Sequence, residues 1–297
     1  MVLCELGATG NIVTTWMVMT ALAFLMTFFV STPLFLYYYV RPSYSTWKWK
    51  SNPRYPSPAS ARKEILTACL GMSVATMCPA LSVHLAAHGH SRAYCGWGGH
   101  SLLYSALTVV ACWFAGDFYE FYYHRLGHTV PLFWKFHKSH HRFANPTPFA
   151  VIADEYVDQF MRSLPLIIFP LLAPVNIDML FILFGLHFYA YGAVLHCGFE
   201  LPFLDAHHPW INTPFEHYIH HAEATMNRPL HTGFFVKTWD RMFGSLNDKP
   251  CRCVRCCQAA GQREHDQWLK VDKPDYSVLL RPAFWINPKA FRNADAA

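Results

Sequence analysis

Charged side chains are missing from long stretches of this sequence. No Asp, Glu, Lys or Arg occurs at positions 11–40 or 65–91, and charged residues make up only 14% of the chain. Each stretch exceeds the roughly 20 residues that a helix needs to cross a bilayer. A third stretch, 93–116, has only His100 as a titratable side chain besides Tyr and Cys. Core helices of soluble proteins are rarely so long and so free of charge, so the composition predicts a membrane protein.

Other absences narrow the function. The first apolar run follows Glu5 rather than a basic segment, which is atypical of a cleavable signal, so we interpret it as a retained span. The sequence has no glycine-rich fingerprint for a flavin or nicotinamide cofactor and no cysteine-ligated haem signature. Lys and Arg are scattered rather than gathered in a stripe, so we expect no nucleic-acid partner.

The apolar runs predict an all-α, integral membrane helical bundle of four to five spans or half-spans, with a cytosolic helical cap. We expect span one at 12–40, with Pro33 as a kink or an end, and span two at about 65–87. Span three begins near Ser101 and continues into His124.

A proline-punctuated apolar hairpin follows, with arms at 164–174 and 179–195, and its short first arm predicts a tilted or re-entrant half-span. We divide the chain into an N-terminal transmembrane region at 1–100, a catalytic domain at 101–246 and a polar, cysteine-containing cytosolic tail at 247–297.

The basic residues predict an orientation. Six of them lie between the first two apolar runs, at Arg41, Lys48, Lys50, Arg54, Arg62 and Lys63. The next connection has only Arg92. Because basic loops tend to stay on the cytosolic side, the first connection should be cytosolic and the N-terminus should lie across the membrane.

Histidines, in contrast, are abundant and regularly spaced. They form three boxes: His124-Arg-Leu-Gly-His128, His137-Lys-Ser-His140-His141 and His217-Tyr-Ile-His220-His221. Residues three and four apart share one face of a helix, so each box predicts a one-sided patch of imidazole rings. Neutral imidazole is a good ligand for iron, zinc or copper. Eight such ligands exceed what one ion binds, so we predict two metal ions close together, with His196 as a ninth ligand.

A carboxylate-bridged di-iron site would show Glu-x-x-His motifs, and the sequence has none. We therefore predict nine metal ligands: His124, His128, His137, His140, His141, His196, His217, His220 and His221. All of them except His196 are also predicted catalytic residues. Asp117 shares a helix face with His124 and should accept the N–H of a ligand ring, with Glu120 a weaker candidate. The roles of His187, His208 and His231 stay open, and His265 is interpreted as a bystander.

The ten cysteines do not resemble a disulfide framework. Cys69, Cys78 and Cys112 lie inside apolar runs, where a cysteine usually acts as a small hydrophobic residue. The cluster Cys251-Arg-Cys253-Val-Arg-Cys256-Cys257 leaves three options: a zinc-binding tail, S-acylated cysteines or free thiols in a reducing cytosol. We favour free or acylated thiols, because no second Cys/His pair with zinc-finger spacing follows.

The order of the three boxes resembles the fatty acid hydroxylase superfamily of membrane di-metal oxygenases, and most closely its sterol C5-desaturases, or lathosterol oxidases. Five further segments after the second box also resemble this subfamily: Pro146-Thr-Pro-Phe-Ala150, Val157-Asp158, Ser163-Leu-Pro165, Phe169-Pro170 and Trp239-Asp-Arg-Met-Phe-Gly-Ser245. The resemblance covers about 117–246, and Asp117 sits where the family carries an Asp ahead of its first box.

This resemblance implies an O2-dependent oxidase with two iron ions, or zinc in the purified protein. It also implies electrons from cytochrome b5 and its reductase or a similar NAD(P)H-driven carrier, a sterol or acyl lipid substrate, and a multi-pass endoplasmic reticulum location with the site facing the cytosol. The expected reaction of the closest subfamily is introduction of the sterol 5,6 double bond.

The chain departs from that subfamily in two places. Ile152 and Glu155 stand where the resemblance leads us to expect histidines, and a longer segment at 227–233 follows the third box. Alternatives therefore stay open within the superfamily: a C4-methyl sterol oxidase, a fatty acyl or sphingoid hydroxylase, or a squalene-epoxidising enzyme. A His-rich metal transporter is an alternative of another class, hinted at only by His84 and Asp178.

Overall fold

The computed structural model describes residues 2–291, which form helices and no extended sheet. Their β contacts are isolated bridges, such as the one between Lys50 and Phe199. Within this range, four segments are long and apolar enough to cross a membrane: Ile12–Val40, Pro58–Ala87, Leu102–Thr129 and Ile177–Leu195. Large apolar side chains on these segments, including Phe29 and Leu186, are exposed, as expected for a surface that lipid covers. The predicted all-α membrane bundle is confirmed.

The first two spans differ from the prediction only at their ends. A short helix, α1 (Val2–Thr9), precedes span one, which is α2 (Ile12–Phe35) followed by a π-helical segment at Leu36–Val40. Pro33 lies inside α2 and does not end it. After α3 (Tyr44–Trp47), span two comprises α4 (Pro58–Ala75) and α5 (Met77–Ala87). It begins at Pro58 rather than near Ile65, because Ser57 caps the helix and proline suits a first turn.

Span three, α6 (Leu102–Thr129), runs unbroken through the first histidine box, as predicted. The chain then passes through six short helical elements: α7 (Pro131–His137), 3₁₀ turns at His140–Arg142 and Pro148–Ile152, α8 (Tyr156–Ser163), α9 (Pro165–Leu172) and α10 (Ile177–Ile182). With eight residues, α9 is too short to cross a bilayer. A π-helical segment at Leu183–Tyr189 and α11 (Ala190–Leu195) complete the return to His196.

The remaining helices form the cap and the tail. The third box lies on α12 (Pro214–Glu223), and α13 (Thr238–Phe243) closes the cap. The tail comprises α14 (Val254–Ala259), α15 (His265–Leu269), a 3₁₀ turn at Tyr276–Leu280, α16 (Pro282–Ile286) and a 3₁₀ turn at Pro288–Ala290. Contrary to the expectation of a merely polar tail, it buries Trp268, Tyr276 and Phe284. They lie on three separate elements of five residues each, which are too short to show an apolar period.

One disulfide bond, between Cys4 and Cys95, was not predicted. It joins α1 to the loop after span two, so both ends of the first two-span hairpin meet at the same end of the bundle. Among the described residues the other cysteines are free. A single bond between two distant positions leaves no spacing pattern in the sequence, which is why composition alone missed it.

Candidate metal centre

The first box is held at the end of a long helix. His124 and His128 are buried on one face of α6. Gly127, on the same turn, allows the ring of His137 to approach: a Cβ atom at this glycine would lie 2.9 Å from Cγ of His137. The hairpin between α6 and α7 thus packs the start of the second box directly against the first.

The second box is not one helical patch. Helix α7 ends at His137, and His140 and His141 follow in a 3₁₀ turn. The change of helix type turns His140 away from the other two rings. The prediction that all three share one helix face is therefore wrong, although all three point into the same region.

The third box begins at a strong helix start. The Thr213 side chain accepts the N–H of Glu216, and the Glu216 carboxylate accepts the N–H of Thr213, which together cap α12. Pro214 fits the first turn. Lys237 also pairs with Glu216, with Nζ to Oε1 at 2.5 Å. The helix is thereby fixed at the end that precedes His217.

The nine histidines predicted as ligands lie together and divide into two groups. Within each group the ligand nitrogens lie within 4.8 Å of one another. The first group consists of His124, His128, His137, His141 and His220, and the second of His140, His196, His217 and His221. The second and third boxes each contribute to both groups. Such a division suits two ions held side by side, with five and four nitrogen ligands.

Most of these rings use Nδ1 to bond outward, away from the centre of their group. Four rings bond to backbone carbonyls. His124 donates to Thr232 at 3.0 Å and His128 to Thr225 at 3.2 Å. His220 donates to Leu230 at 2.5 Å and His196 to Gly192 at 2.7 Å. A carbonyl accepts only an N–H, so in these rings the proton is on Nδ1 and the lone pair is on Nε2. This arrangement is typical of metal-bound histidines.

The inward nitrogens face one another without protein donors. Nε2 of His196 lies 2.9 Å from Nε2 of His217 and 3.3 Å from Nε2 of His140, and the Nε2 atoms of His137 and His141 are 3.2 Å apart. Buried Nε2 atoms of His124, His128 and His220 have no hydrogen-bond partner in the described residues. Two nitrogens on one ion at about 2.1 Å lie roughly 3.0 to 3.4 Å apart. The donor set therefore fits metal ions.

Burial keeps the rings neutral. It lowers the pKa of His140, His141, His217, His220 and His221 well below the usual histidine value, and lowers that of His196 to about 3. A neutral ring offers the lone pair that a metal needs, whereas an imidazolium offers none. The pocket is thus prepared for cations at neutral pH without prior loss of protons.

Two carboxylates that the sequence analysis did not assign orient the second box. Asp158 accepts from Nδ1 of His137 at 2.9 Å and from the hydroxyl of Tyr123 at 2.7 Å. Asp154 lies 2.8 Å from Nδ1 of His140 and 3.7 Å from Arg162. Burial alone would raise the pKa of Asp158, but His137, Arg162 and Tyr123 together lower it. Their signal in the sequence is a short acidic cluster, Asp154-Glu155 and Asp158, that follows the second box.

Asp117 does not contact His124, contrary to the prediction. It is buried and accepts the N–H of Phe235 and the indole N–H of Trp239, both at 2.8 Å. The ring of His124 bonds instead to the carbonyl of Thr232. Asp117 therefore anchors the loop that supplies this carbonyl. Glu120, the weaker candidate, forms a salt bridge with Arg162.

The histidines left open by the sequence analysis lie outside both groups. His187 packs among Trp113, Tyr191 and Phe235. Nδ1 of His208 accepts the backbone N–H of Ile211 at 3.0 Å.

His231, in the segment that departs from the resembling subfamily, accepts the N–H of Asn247 at 3.3 Å and has a left-handed backbone with φ of 45°. This departure therefore reshapes a loop and adds no tenth ring to the two groups. His265 stacks edge-on against Tyr44, far along the tail.

An apolar cavity of about 310 Å³ lies among the spans. Its lining includes Met19, Met72, Gly116, Phe184, Phe188 and Ile152. At its polar side are Glu120 and Arg162, and Arg162 in turn lies beside Asp154, the partner of His140. The cavity thus leads from the membrane interior toward the histidine groups. Ile152 lines it, whereas Glu155 caps α8 outside it.

Comparisons with known proteins agree with this geometry. Residues 109–245 match the fatty acid hydroxylase family model. Over 163 residues the chain is 31% identical to the Delta(7)-sterol 5(6)-desaturase of Eremothecium gossypii, covering 54% of this chain and 44% of that protein.

It is 27% identical to human lathosterol oxidase over 150 residues, or 50% of this chain and 48% of the relative. The Candida glabrata desaturase matches over 233 residues at 27% identity, covering 77% of this chain and 59% of the relative. The chain thus spans about half the length of the curated relatives it matches. No solved structure resembles it closely enough to count as a match.

Proposed function

We propose that this chain is an O2-dependent membrane oxidase that introduces the 5(6) double bond into a Δ7-sterol, because residues 109–245 match the fatty acid hydroxylase family model. The observation that carries this proposal is the pair of histidine groups at the end of an apolar cavity. Domains of this family bind two iron ions through histidine clusters. We assign those ions to the nine grouped rings, with zinc as the alternative in purified protein.

The two iron ions would supply the oxidising power that activates O2 against an unactivated C–H bond. The protein's own part is to hold the ring nitrogens in place through Thr232, Thr225, Leu230, Gly192, Asp154 and Asp158. Burial of the rings excludes bulk water. Overall, a sterol loses two hydrogens from neighbouring carbons, and O2 with two electrons and two protons becomes two molecules of water.

The electrons must come from outside the chain, since neither a flavin fingerprint nor a haem signature is present in the sequence. We propose cytochrome b5 and its NAD(P)H-driven reductase as the donors, docking on the face where the histidine boxes lie. The nine rings lie at the ends of spans or beyond them, which suits a donor that approaches from water.

We place the protein in the endoplasmic reticulum membrane with the histidine boxes facing the cytosol. Two independent features support this orientation. The loop between the first two spans is basic, as cytosolic loops usually are. The Cys4–Cys95 disulfide lies at the opposite end of the same two spans, and disulfides persist in the oxidising lumen. The proposed division into 1–100, 101–246 and 247–297 follows this layout.

The nearest rival is another lipid oxidase of the same family: a C4-methyl sterol oxidase, an acyl or sphingoid hydroxylase, or a squalene epoxidase. Ile152 supports this alternative, because it lines the cavity at a position where the resemblance to sterol C5-desaturases predicts a histidine. A metal transporter is disfavoured, since it would place ligands along the spans and the nine rings gather at one end.

The test is aerobic turnover of the full chain with cytochrome b5, its reductase and candidate lipids, with products read by mass spectrometry. We expect a sterol product two hydrogens lighter than the substrate. His140→Ala and His220→Ala should each abolish it, one in each group, while His265→Ala keeps full activity. New hydroxylated or epoxidised lipids would favour the rival, and metal uptake into vesicles without turnover would favour a transporter. Full activity in either box variant would overturn the site.

A further inference from the structure

A second cluster of metal-ligand side chains lies outside the histidine groups. His207, Cys251, Cys253 and Cys256 place one nitrogen and three sulfur atoms within 4.8 Å of one another. Nε2 of His207 is 3.6 Å from Sγ of Cys253 and 3.5 Å from Sγ of Cys256. A zinc ion bound at about 2.3 Å to sulfur and 2.0–2.1 Å to nitrogen separates tetrahedral ligands by roughly 3.6 Å for S···N. The observed separations match this geometry.

We propose that these four residues bind a structural zinc ion with three thiolate ligands and one neutral imidazole. This Cys3His set is a common closed zinc site. The sequence alone favours free or acylated thiols, because no second Cys/His pair follows the cluster. The fourth ligand comes instead from upstream, in the loop between His196 and α12, where linear spacing gives no indication of it.

The surroundings fit a closed site better than free or acylated thiols. Cys253 is fully buried, packed with Ala206, Phe215 and Ile219, so a modifying enzyme has no access to it. Its backbone N–H donates to Sγ of Cys251 at 3.3 Å, as expected where a sulfur carries negative charge. Three thiolates and one Zn²⁺ leave one net negative charge, and Arg252 and Arg255 lie in the same short segment.

The site would fasten the tail to the helix of the third box. Phe215 and Ile219, which pack on Cys253, lie on α12 together with His217, His220 and His221. Two further contacts join the tail to the loop that precedes α12: the N–H of Val254 donates to Glu200 at 2.8 Å, and Arg255 pairs with Asp205 at 3.1 Å. Zinc binding couples to folding in such sites, because thiolates brought together without a cation repel one another. The ion would therefore stabilise the packing of the tail against α12.

The chain provides a matched control in Cys257. This residue is adjacent to Cys256 but lies outside the cluster, and its Sγ contacts the carbonyl of Arg252 at 3.4 Å. Cys257→Ser therefore removes a thiol of the same segment without removing a ligand. His140→Ala serves as the complementary control, because it disturbs a histidine group that contains no sulfur.

The experiment is X-ray absorption at the zinc edge on the full-length protein purified with zinc. We expect a sulfur shell at about 2.3 Å. Cys253→Ser should lose most of that shell, whereas Cys257→Ser and His140→Ala should keep it. The retained shell in His140→Ala separates this site from the proposed oxidase centre, so either assignment can fail alone. A zinc shell of nitrogen and oxygen only in the unmodified protein would overturn the proposal.

A second measurement needs no substitution and so does not depend on whether a variant folds. The unmodified protein is alkylated with and without a zinc chelator, and each cysteine is read by peptide mass spectrometry. We expect Cys251, Cys253 and Cys256 to gain reactivity together on chelation while Cys257 stays unchanged. Acyl chains or disulfides on these three cysteines, or reactivity that chelation does not alter, would refute zinc binding.

Discussion

Asp158 fixes the orientation of one ring through two separate oxygens. Oδ2 accepts from His137, and Oδ1 accepts from Tyr123. In Asp158→Asn one of these oxygens becomes an NH2 group, which faces a donor and cannot accept. We expect iron content or turnover to fall about 10- to 100-fold, the usual cost of losing such a partner. Iron per chain and turnover check this, with Asp266→Asn, an exposed tail carboxylate, as the control.

If Asp158→Asn retains full iron and activity, Asp158 is only a packing residue and the orientation of His137 does not depend on it. Asp158→Glu adds a distinguishing readout. It keeps both acceptors but moves them, so it should restore part of the iron content if the hydrogen bonds are what matters.

Lys50 is buried among aromatic rings at the base of the tail. Its ammonium lies over Tyr39, Tyr55 and Phe199 and donates to Asn145 at 3.2 Å. Burial lowers the pKa of Lys50 from 10.5 to about 7. The unfolded chain therefore binds more protons than the folded one between these two values, so stability rises with pH across this window.

We expect Lys50→Met to remove this pH dependence and to raise the thermal midpoint at pH 7, since a buried charge disappears from the fold. The difference between variant and wild type should shrink toward pH 9. Thermal unfolding in detergent at pH 7, 8 and 9 measures it. A constant difference across this range would mean that Lys50 does not titrate there.

Much of the residue-scale site could be predicted, because the grouped residues are histidines at regular spacing. The structure brings together the eight rings singled out by spacing and His196, the added ninth. The hydrogen-bond partners of the rings are harder to predict. The sequence suggests Asp117 as the partner of His124, which bonds to Thr232 instead. It does not point to Asp154 or Asp158 as partners of the second box. Backbone carbonyls carry no side-chain signature, so no sequence pattern reveals that a ring bonds to one.

At the scale of helices, one constraint on the site is the close contact between α6 and α7. A Cβ atom at Gly127 would lie 2.9 Å from two ring atoms of His137. Gly127→Ala should strengthen α6 by up to about 1 kcal/mol in helix propensity, yet push His137 out of its group. We expect a large loss of iron from the five-histidine group with no loss of helix content.

Iron analysis and circular dichroism on the same sample separate these two effects. Gly98→Ala is the matched control, because no atom lies within 4 Å of the Cβ that it would add. Unchanged iron content in Gly127→Ala would show that the hairpin has room to relax and that the close approach is incidental.

Helices that are long and apolar could be predicted from the sequence. A change from α-helix to 3₁₀ turn could not. Span three was placed correctly because no breaker interrupts it. The second box was taken as helical because its spacing is helical, but α7 ends at His137. The resulting 3₁₀ turn sends His140 to one group and His141 to the other. The third box reaches both groups without such a break, because His217, His220 and His221 all lie on α12.

At the scale of the whole molecule, the two ends of the bundle have opposite chemistry. One end carries the histidine groups, the basic loop and the four free cysteines of the tail, and the other carries the Cys4–Cys95 disulfide. If the first end faces the cytosol, each cysteine state matches its compartment, because thiols stay reduced there and disulfides persist in the lumen. The reverse orientation would place the disulfide in the reducing cytosol.

Labelling of sealed microsomes with a membrane-impermeant maleimide tests this orientation. Arg54→Cys places a reporter in the basic loop, where the native side chain is exposed. Cys4→Ser frees Cys95 as a reporter at the opposite end. We expect the first reporter to react in intact vesicles and the second to react only after the membrane is permeabilised. Labelling of Cys95 in intact vesicles would invert the topology, and the electron donor proposed above could then no longer reach the histidine end from the cytosol.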